Sequence, residues 1–157
     1  NRIRILGSMN DTPPTAIRGM VGWSTDSEGN RKPNRTQAGE KVDASKYEEK
    51  PKEFFAMIVW NYGAEQISIL EVTQASIIGE IVSLANDEDW GDPKEYDISI
   101  VKTGEGMETR YNTVPKPKKA QTKEIQQAFA DAEINLVALF SGDDPFAPVS
   151  GDGKEPF

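Results

Sequence analysis

Between Lys52 and Val72 the chain reads KEFFAMIVWNYGAEQISILEV, an apolar stretch around which the rest is arranged. Two runs rich in β-branched and aromatic residues, Phe54–Tyr62 and Gln66–Val72, flank Gly63-Ala64-Glu65. That pattern predicts two antiparallel strands joined by a short hairpin. Successive strand side chains alternate between faces, so Phe55, Met57 and Val59 fall on one side. Phe54, Ala56, Ile58, Trp60 and Tyr62 fall on the other. Both sides are apolar, so either both are buried or one is a surface on which flat ligands stack.

Before this hairpin, Arg2–Leu6 alternates cations with isoleucines, as a half-buried strand does. Asp11-Thr12-Pro13-Pro14 breaks it, and Ile17–Trp23 resumes extended character with bend-prone glycines at 19 and 22. Ser24–Pro51 is polar, carries Gly29, Pro33 and Gly39, and is too long for an ordinary turn. It is expected to be a mobile insertion loop whose cations, Arg31, Lys32, Arg35, Lys41, Lys46 and Lys50, suit phosphates and whose acids suit solubility.

After the hairpin, Thr73 stands where a helix N-cap belongs, and Ile77, Ile78, Ile81, Val82 and Ala85 recur at helical spacing through Gln74–Ala85. Asn86–Pro93 ends that helix, with Trp90 expected to pack over its end. Glu95–Lys102 and Glu108–Val114 read as a second hairpin around Gly104 and Gly106, closed by a stiff basic strap at Pro115–Lys118. Gln121–Asn135 reads as a helix, and Leu136–Phe140 as a segment docking on the body. Ser141–Phe157, rich in Gly, Pro and Asp, has the composition of a flexible acidic tail.

Five strands with a helix between the third and fourth is the order of an OB-type Greek-key barrel. The domain plan is then a barrel over residues 1–119 with the insertion at 24–51, a C-terminal helix at 120–140, and a tail at 141–157. Such barrels bind oligonucleotides by combining aromatic stacking with a cationic groove. Trp23, Phe54, Trp60, Tyr62 and Tyr111 beside Arg4, Arg18, Lys52, Lys102 and Arg110 supply the required residue types. Core packing is the competing role for each aromatic. Arg110 and Tyr111 point to opposite faces, so at most one projects from the binding side.

Composition narrows the chemistry. With 157 residues, no cysteine and no histidine, the chain cannot form disulfides, thiolate nucleophiles, Cys/His zinc sites or imidazole-based triads. No cofactor is expected, and a cytosolic setting is consistent with the missing cysteines. The opening NRIRILG lacks the layout of a secretory signal and starts without methionine, as a processed or trimmed chain would. The net charge of −8 argues at first against a nucleic-acid partner, but the charges are segregated. Ten of the 18 basic residues lie in residues 1–62, whereas from Gly63 to Asp97 only Lys94 faces nine acids. A metal-dependent nuclease would need carboxylates such as Glu71 and Asp97 in one site, and these lie on separate strands without an evident third ligand.

The segments NRIRIL, VGW, KPKEFFAMIVWNY, ISILEVTQASI, DEDWGDPKEYDISIVKTGEGMETRYNTV and NLVALFSGDDPF, in this order, resemble the single-stranded DNA-binding proteins of tailed phages. The resemblance spans the chain apart from Ser24–Pro51 and the last ten or so residues. It implies a non-enzymatic OB-fold protein that coats and protects single strands during replication and recombination in an infected bacterial cytoplasm. It also implies an acidic tip that recruits replication or recombination proteins, here Asp143, Asp144 and Phe146 with Glu155 and Phe157. Lys154 and Gly153 interrupt the last acids, a departure from that pattern. No structural metal and no membrane contact are expected. A second expectation, of a different class, is a protein–protein adaptor using an exposed apolar strand and the acidic tail.

Overall fold

The structure is a computed structural model that describes residues 1–146. It is mainly β, with seven strands in one antiparallel sheet: β1 (Arg2–Ile5), β2 (Ala16–Thr25), β3 (Arg31–Gln37), β4 (Lys52–Asn61), β5 (Gln66–Val72), β6 (Asp97–Thr103) and β7 (Arg110–Pro115). The order is β3-β2-β4-β1-β6-β7, with β5 paired to β4. Two α-helices, α1 (Ala75–Asn86) and α2 (Lys123–Asp131), and four 3-10 turns, the longest at Leu136–Ser141, are the other regular elements of the described residues. None of the described helices is long and apolar enough to cross a membrane.

β4 is the centre of the sheet because it uses both of its edges and both of its faces. Along one edge it pairs first with β2, from Val21↔Lys52 to Ala16↔Met57, and then with β1, from Ile5↔Val59 to Ile3↔Asn61. The two N-terminal strands therefore act as one strand interrupted by an excursion at Ser8–Pro14. Ile58 closes its neck, accepting from Leu6 and Gly7 N–H and donating to the Thr15 carbonyl. The other edge pairs with β5 from Phe55↔Val72 to Asn61↔Gln66, the hairpin expected from Gly63-Ala64-Glu65.

Seven strands replace the expected five because the N-terminal run divides in two and the polar 24–51 stretch holds β3. Asp26 Oδ1 accepts from the Glu28 and Asn30 N–H groups, turning the chain so that Arg31–Gln37 pairs with Gly19–Thr25 residue by residue. β3 is polar because it is an edge strand with cations and a proline, a composition that discourages further pairing. Near the end of the stretch, two residues also touch β2. Tyr47 lies flat on Gly22, where a Cβ would come within 2.6 Å of the ring, and Glu48 N–H bonds to the Trp23 carbonyl.

On one face of the sheet, Phe55, Met57 and Val59 pack with Ile3, Ile5, Val72, Tyr96 and Ile98 under Ile77, Ile78 and Ile81 of α1. Gln74, not Thr73, occupies the N-cap position of α1, and its side chain makes no capping bond. On the opposite face, Ile17, Val21, Phe54, Ala56 and Ile58 pack against Leu136, with Phe129, Ile134, Leu139 and Phe140 around them. Leu6, Trp60 and Ile125 continue this second core. α2 starts at a Thr122 cap and is shorter than expected, leaving Ile134 outside the helix. The sheet also curls. Arg35 on β3 reaches Glu71 on β5 with two bonds of 2.8 and 3.0 Å, although β2 and β4 stand between them in the hydrogen-bonded order.

Leu136 is fully buried at the centre of the second core. Leu136→Ala should therefore destabilise the protein by about 2–5 kcal/mol. Urea unfolding followed by tryptophan fluorescence would read this as a lower midpoint with an unchanged slope.

Candidate nucleic-acid interface

The ten residues expected to meet nucleic acid divide among five places. Phe54 is wholly buried and Trp60 is 5% exposed, because the C-terminal segment covers the side of β4 on which they lie. Neither ring is open to a base, which corrects the expectation of a stacking surface on Phe54–Tyr62. The physical reason is supply: Ile125, Phe129, Leu136 and Phe140 provide the apolar partners that make two-sided burial of β4 favourable. Arg4 is also buried, and is consumed by an ion pair with Asp97.

Arg18 lies over the ring of buried Phe55 at 5.0 Å and pairs with Glu53, on the face shared with α1. Lys102 and Tyr111 are cross-strand neighbours on that same face of β6 and β7, and Tyr111 packs against the first core. Arg110 points to the opposite face and is exposed. Arg4 and Tyr62 meet at Asp97, and Trp23 and Lys52 line one cavity.

That site is a cavity of about 370 Å³ where the ends of β2, β3 and β4 meet, lined by Val21, Trp23, Arg31, Glu49, Lys50, Lys52 and Thr73. Trp23 is half-buried, and the Arg31 guanidinium lies 4.6 Å from its ring centroid. Glu48 holds Arg31 from behind at 3.5 Å and accepts from the Thr25 hydroxyl. Lys50 and Lys52 are exposed and, among the described residues, make no ion pair. An indole with one stacked guanidinium and two free ammonium groups can hold a planar ring and neighbouring negative charge together. Arg31 and Lys50 were legible only as loop cations. Their membership of the site depends on β3, whose polar sequence hides its pairing.

Asp97, fully buried on β6, forms a second cluster. Its Oδ2 meets Arg2 Nη2 at 2.7 Å and Lys119 Nζ at 3.4 Å, and its Oδ1 accepts from Arg4 Nε at 2.7 Å and from the Tyr62 hydroxyl at 2.8 Å. Burial alone would raise its pKa, but the bonds from Tyr62, Arg2 and Arg4 outweigh that and hold the carboxyl below its ordinary value. Burial, with the bond to Asp97 and its charge, pushes the Tyr62 hydroxyl up. The Tyr62 ring is flanked by Arg2 at 5.5 Å and Lys119 at 6.0 Å. Arg2 and Lys119, absent from the sequence expectation, thus join Tyr62. Glu71 and Asp97, the carboxylates considered for a nuclease, both face cations.

Of the expected partner-binding tail, Asp143–Phe146 fold back on the Leu136–Ser141 turn. Asp143 N–H bonds to the Ala138 carbonyl, Asp144 Oδ1 accepts from Phe146 N–H, and the Pro145 carbonyl accepts from Asn135. Phe146 is exposed. Glu155 and Phe157 lie outside the described residues.

Because the folded carboxyl of Asp97 titrates below its unfolded value of about 3.9, its contribution to stability is complete above that value and is lost as pH falls through the folded pKa. Urea midpoints should drop below about pH 4 in the native protein. Asp97→Asn, which leaves Arg4 buried without its counter-charge, should cost about 3–5 kcal/mol at pH 7 and flatten that acid limb. A scan against protein-family models returns no match, and searches of curated proteins and of solved structures return none either, so the residues themselves carry the functional reading.

Proposed function

We propose that this chain binds single-stranded DNA with little regard for sequence, and does so without catalysis. The observation that carries the reading is the Trp23 cavity, where an aromatic ring and three cations, Arg31, Lys50 and Lys52, line one opening. Every base has a π-face, so stacking on an indole is sequence-tolerant, and ammonium or guanidinium groups beside it meet the phosphates. Glu49 also lines the cavity, which moderates rather than cancels its positive charge. The overall charge of −8 is compatible with this, since the acids concentrate elsewhere in the chain.

Under this reading the curled sheet is a variant of the OB-type barrel. The Arg35–Glu71 pair closes by side chains the gap that backbone pairing leaves between β3 and β5. In this reading the protein coats transient single strands during DNA replication or recombination in an infected bacterial cytoplasm, the setting that the sequence's resemblance to phage proteins implies. The adaptor alternative loses its main support because the Phe54–Trp60 face is already covered by the chain itself. Among the described residues, Val101, Met107 and Val114 on the last hairpin and Phe146 after the C-terminal turn are exposed apolar groups still open to a protein partner.

Oligo-dT titrated at low salt should quench tryptophan fluorescence, with affinity falling as salt rises. Trp23→Ala should weaken binding by about 1–3 kcal/mol and abolish most of the quenching, while its far-UV spectrum and urea midpoint stay close to native. No binding at low salt, or unchanged affinity in Trp23→Ala, would reject the reading.

A further inference from the structure

The face of the sheet that carries Trp23 and Lys52 does not end at the C-terminal cover. On the far side of α2, beyond β1, the same face continues over β6 and β7, where Tyr62 and Lys119 cover Asp97 and Val101, Asn112 and Val114 stay exposed. Cross-strand register puts Arg2, Ser99 and Val114 in one row and Val101 with Asn112 in the next. Thr103 with Arg110 forms a third row, and Lys116 extends β7 at the other end. Val101 on β6 and Val114 on the edge strand β7 are 41% and 39% exposed. Around them stand Arg2, Arg110, Lys116 and Lys119, while the acid beneath this face, Asp97, is buried and already shared by Arg2, Arg4 and Lys119. The hairpin's own acids, Glu105 and Glu108, sit in its turn.

We infer that this β6–β7 face is a second contact for the same nucleic-acid strand, tracking its phosphates, so that the binding surface is bipartite and straddles the C-terminal cover. The inference rests on the single-strand reading above. Charge complementarity selects the occupant. Four cations with one neutralised carboxylate suit a polyanion, and the polar and small β-branched side chains between them allow a flat, sequence-blind approach. Stacking is not the mode here, because the Tyr62 ring is already flanked by Arg2 and Lys119.

The two contacts lie toward opposite ends of β4: Lys52 lines the Trp23 cavity, and Asn61 pairs with Ile3 next to the Asp97 cluster. Nine residue steps of about 3.4 Å separate those ends, or roughly 30 Å. A strand must be long to touch both.

Length is therefore the discriminating variable. Arg110→Ala with Lys116→Ala removes two cations, exposed Arg110 and half-buried Lys116, that make no ion pair among the described residues, so folding should be preserved and can be checked by urea midpoint. Binding is measured for a dinucleotide, which fits the Trp23 cavity alone, and for a strand of about 20 nucleotides, longer than the roughly 4–16 that a single OB fold covers. The double variant should bind the dinucleotide as the native protein does. It should bind the long strand about tenfold more weakly, with the slope of log K against log salt shallower by about 1.4 for two lost phosphate contacts. Quenching by the dinucleotide with equal long-strand affinity in both proteins would overturn the second contact and leave the Trp23 reading intact. An equal loss with both lengths would show a general charge effect and also overturn it. Absence of binding at either length would remove both readings.

Discussion

β4 has no free side. Its Phe55, Met57 and Val59 need α1, its Phe54, Ala56, Ile58 and Trp60 need the C-terminal segment, and its two edges are taken by β1, β2 and β5. A strand apolar on both faces cannot sit in a two-layer sandwich with one wet side, since leaving an aromatic face in water forfeits about 25 cal/mol for each Å² not buried. The three-layer arrangement follows from that requirement. So does the placement of any ligand site: chemistry open to solvent is pushed outward, to the ends and flanks of the sheet, where Trp23 and the β6–β7 face lie.

The same logic explains the buried charges. β1 is too short to be held by its backbone bonds alone, and Arg2 and Arg4 lie on the face that turns toward the C-terminal half. A carboxylate on β6 meets both, takes a further bond from Tyr62 at the end of β4, and draws Lys119 in from the strap. A buried ion pair is a poor source of net stability, because desolvation offsets most of the Coulomb gain. Its value is positional. Apolar residues in place of both Arg4 and Asp97 would fit the core but would not distinguish the register Arg4↔Asp97 from a slipped one.

Much of this was readable in advance. The hairpin about Gly63-Ala64-Glu65, the helix with Ile77, Ile78 and Ile81, the second hairpin, and the docking of Leu136–Phe140 all carry local patterns that survive in three dimensions. The failures have one cause in common: they depend on what covers a surface, and periodicity cannot say that. Phe54 and Trp60 looked like candidates for stacking because the residues that bury them lie more than 60 positions later in the chain. Arg4 looked like a groove cation because its partner Asp97 is 93 residues away. β3 escaped because a half-exposed edge strand needs no apolar alternation, and its sequence, RKPNRTQ, offers none. Trp23 and Lys52 carry residue types that the sequence singles out, while Arg31 and Lys50 become their neighbours in space only through that unseen strand.

The interrupted N-terminal strand has a practical corollary. Leu6, Gly7 and Thr15 all bond to the single residue Ile58, and Ser8 and Thr15 bond to each other, so the excursion between them hangs from a pinched base. A Cβ on Gly7 would fall 2.0 Å from the Thr15 carbonyl oxygen, so the pinch tolerates no side chain there. Closing entropy rises only by about 0.6 kcal/mol for each doubling of such a loop. Asn10, Asp11 and Thr12 are exposed at its tip, which makes this bulge a natural port for grafted sequence: an epitope or fluorophore tag spliced there would leave the flanking ladder undisturbed.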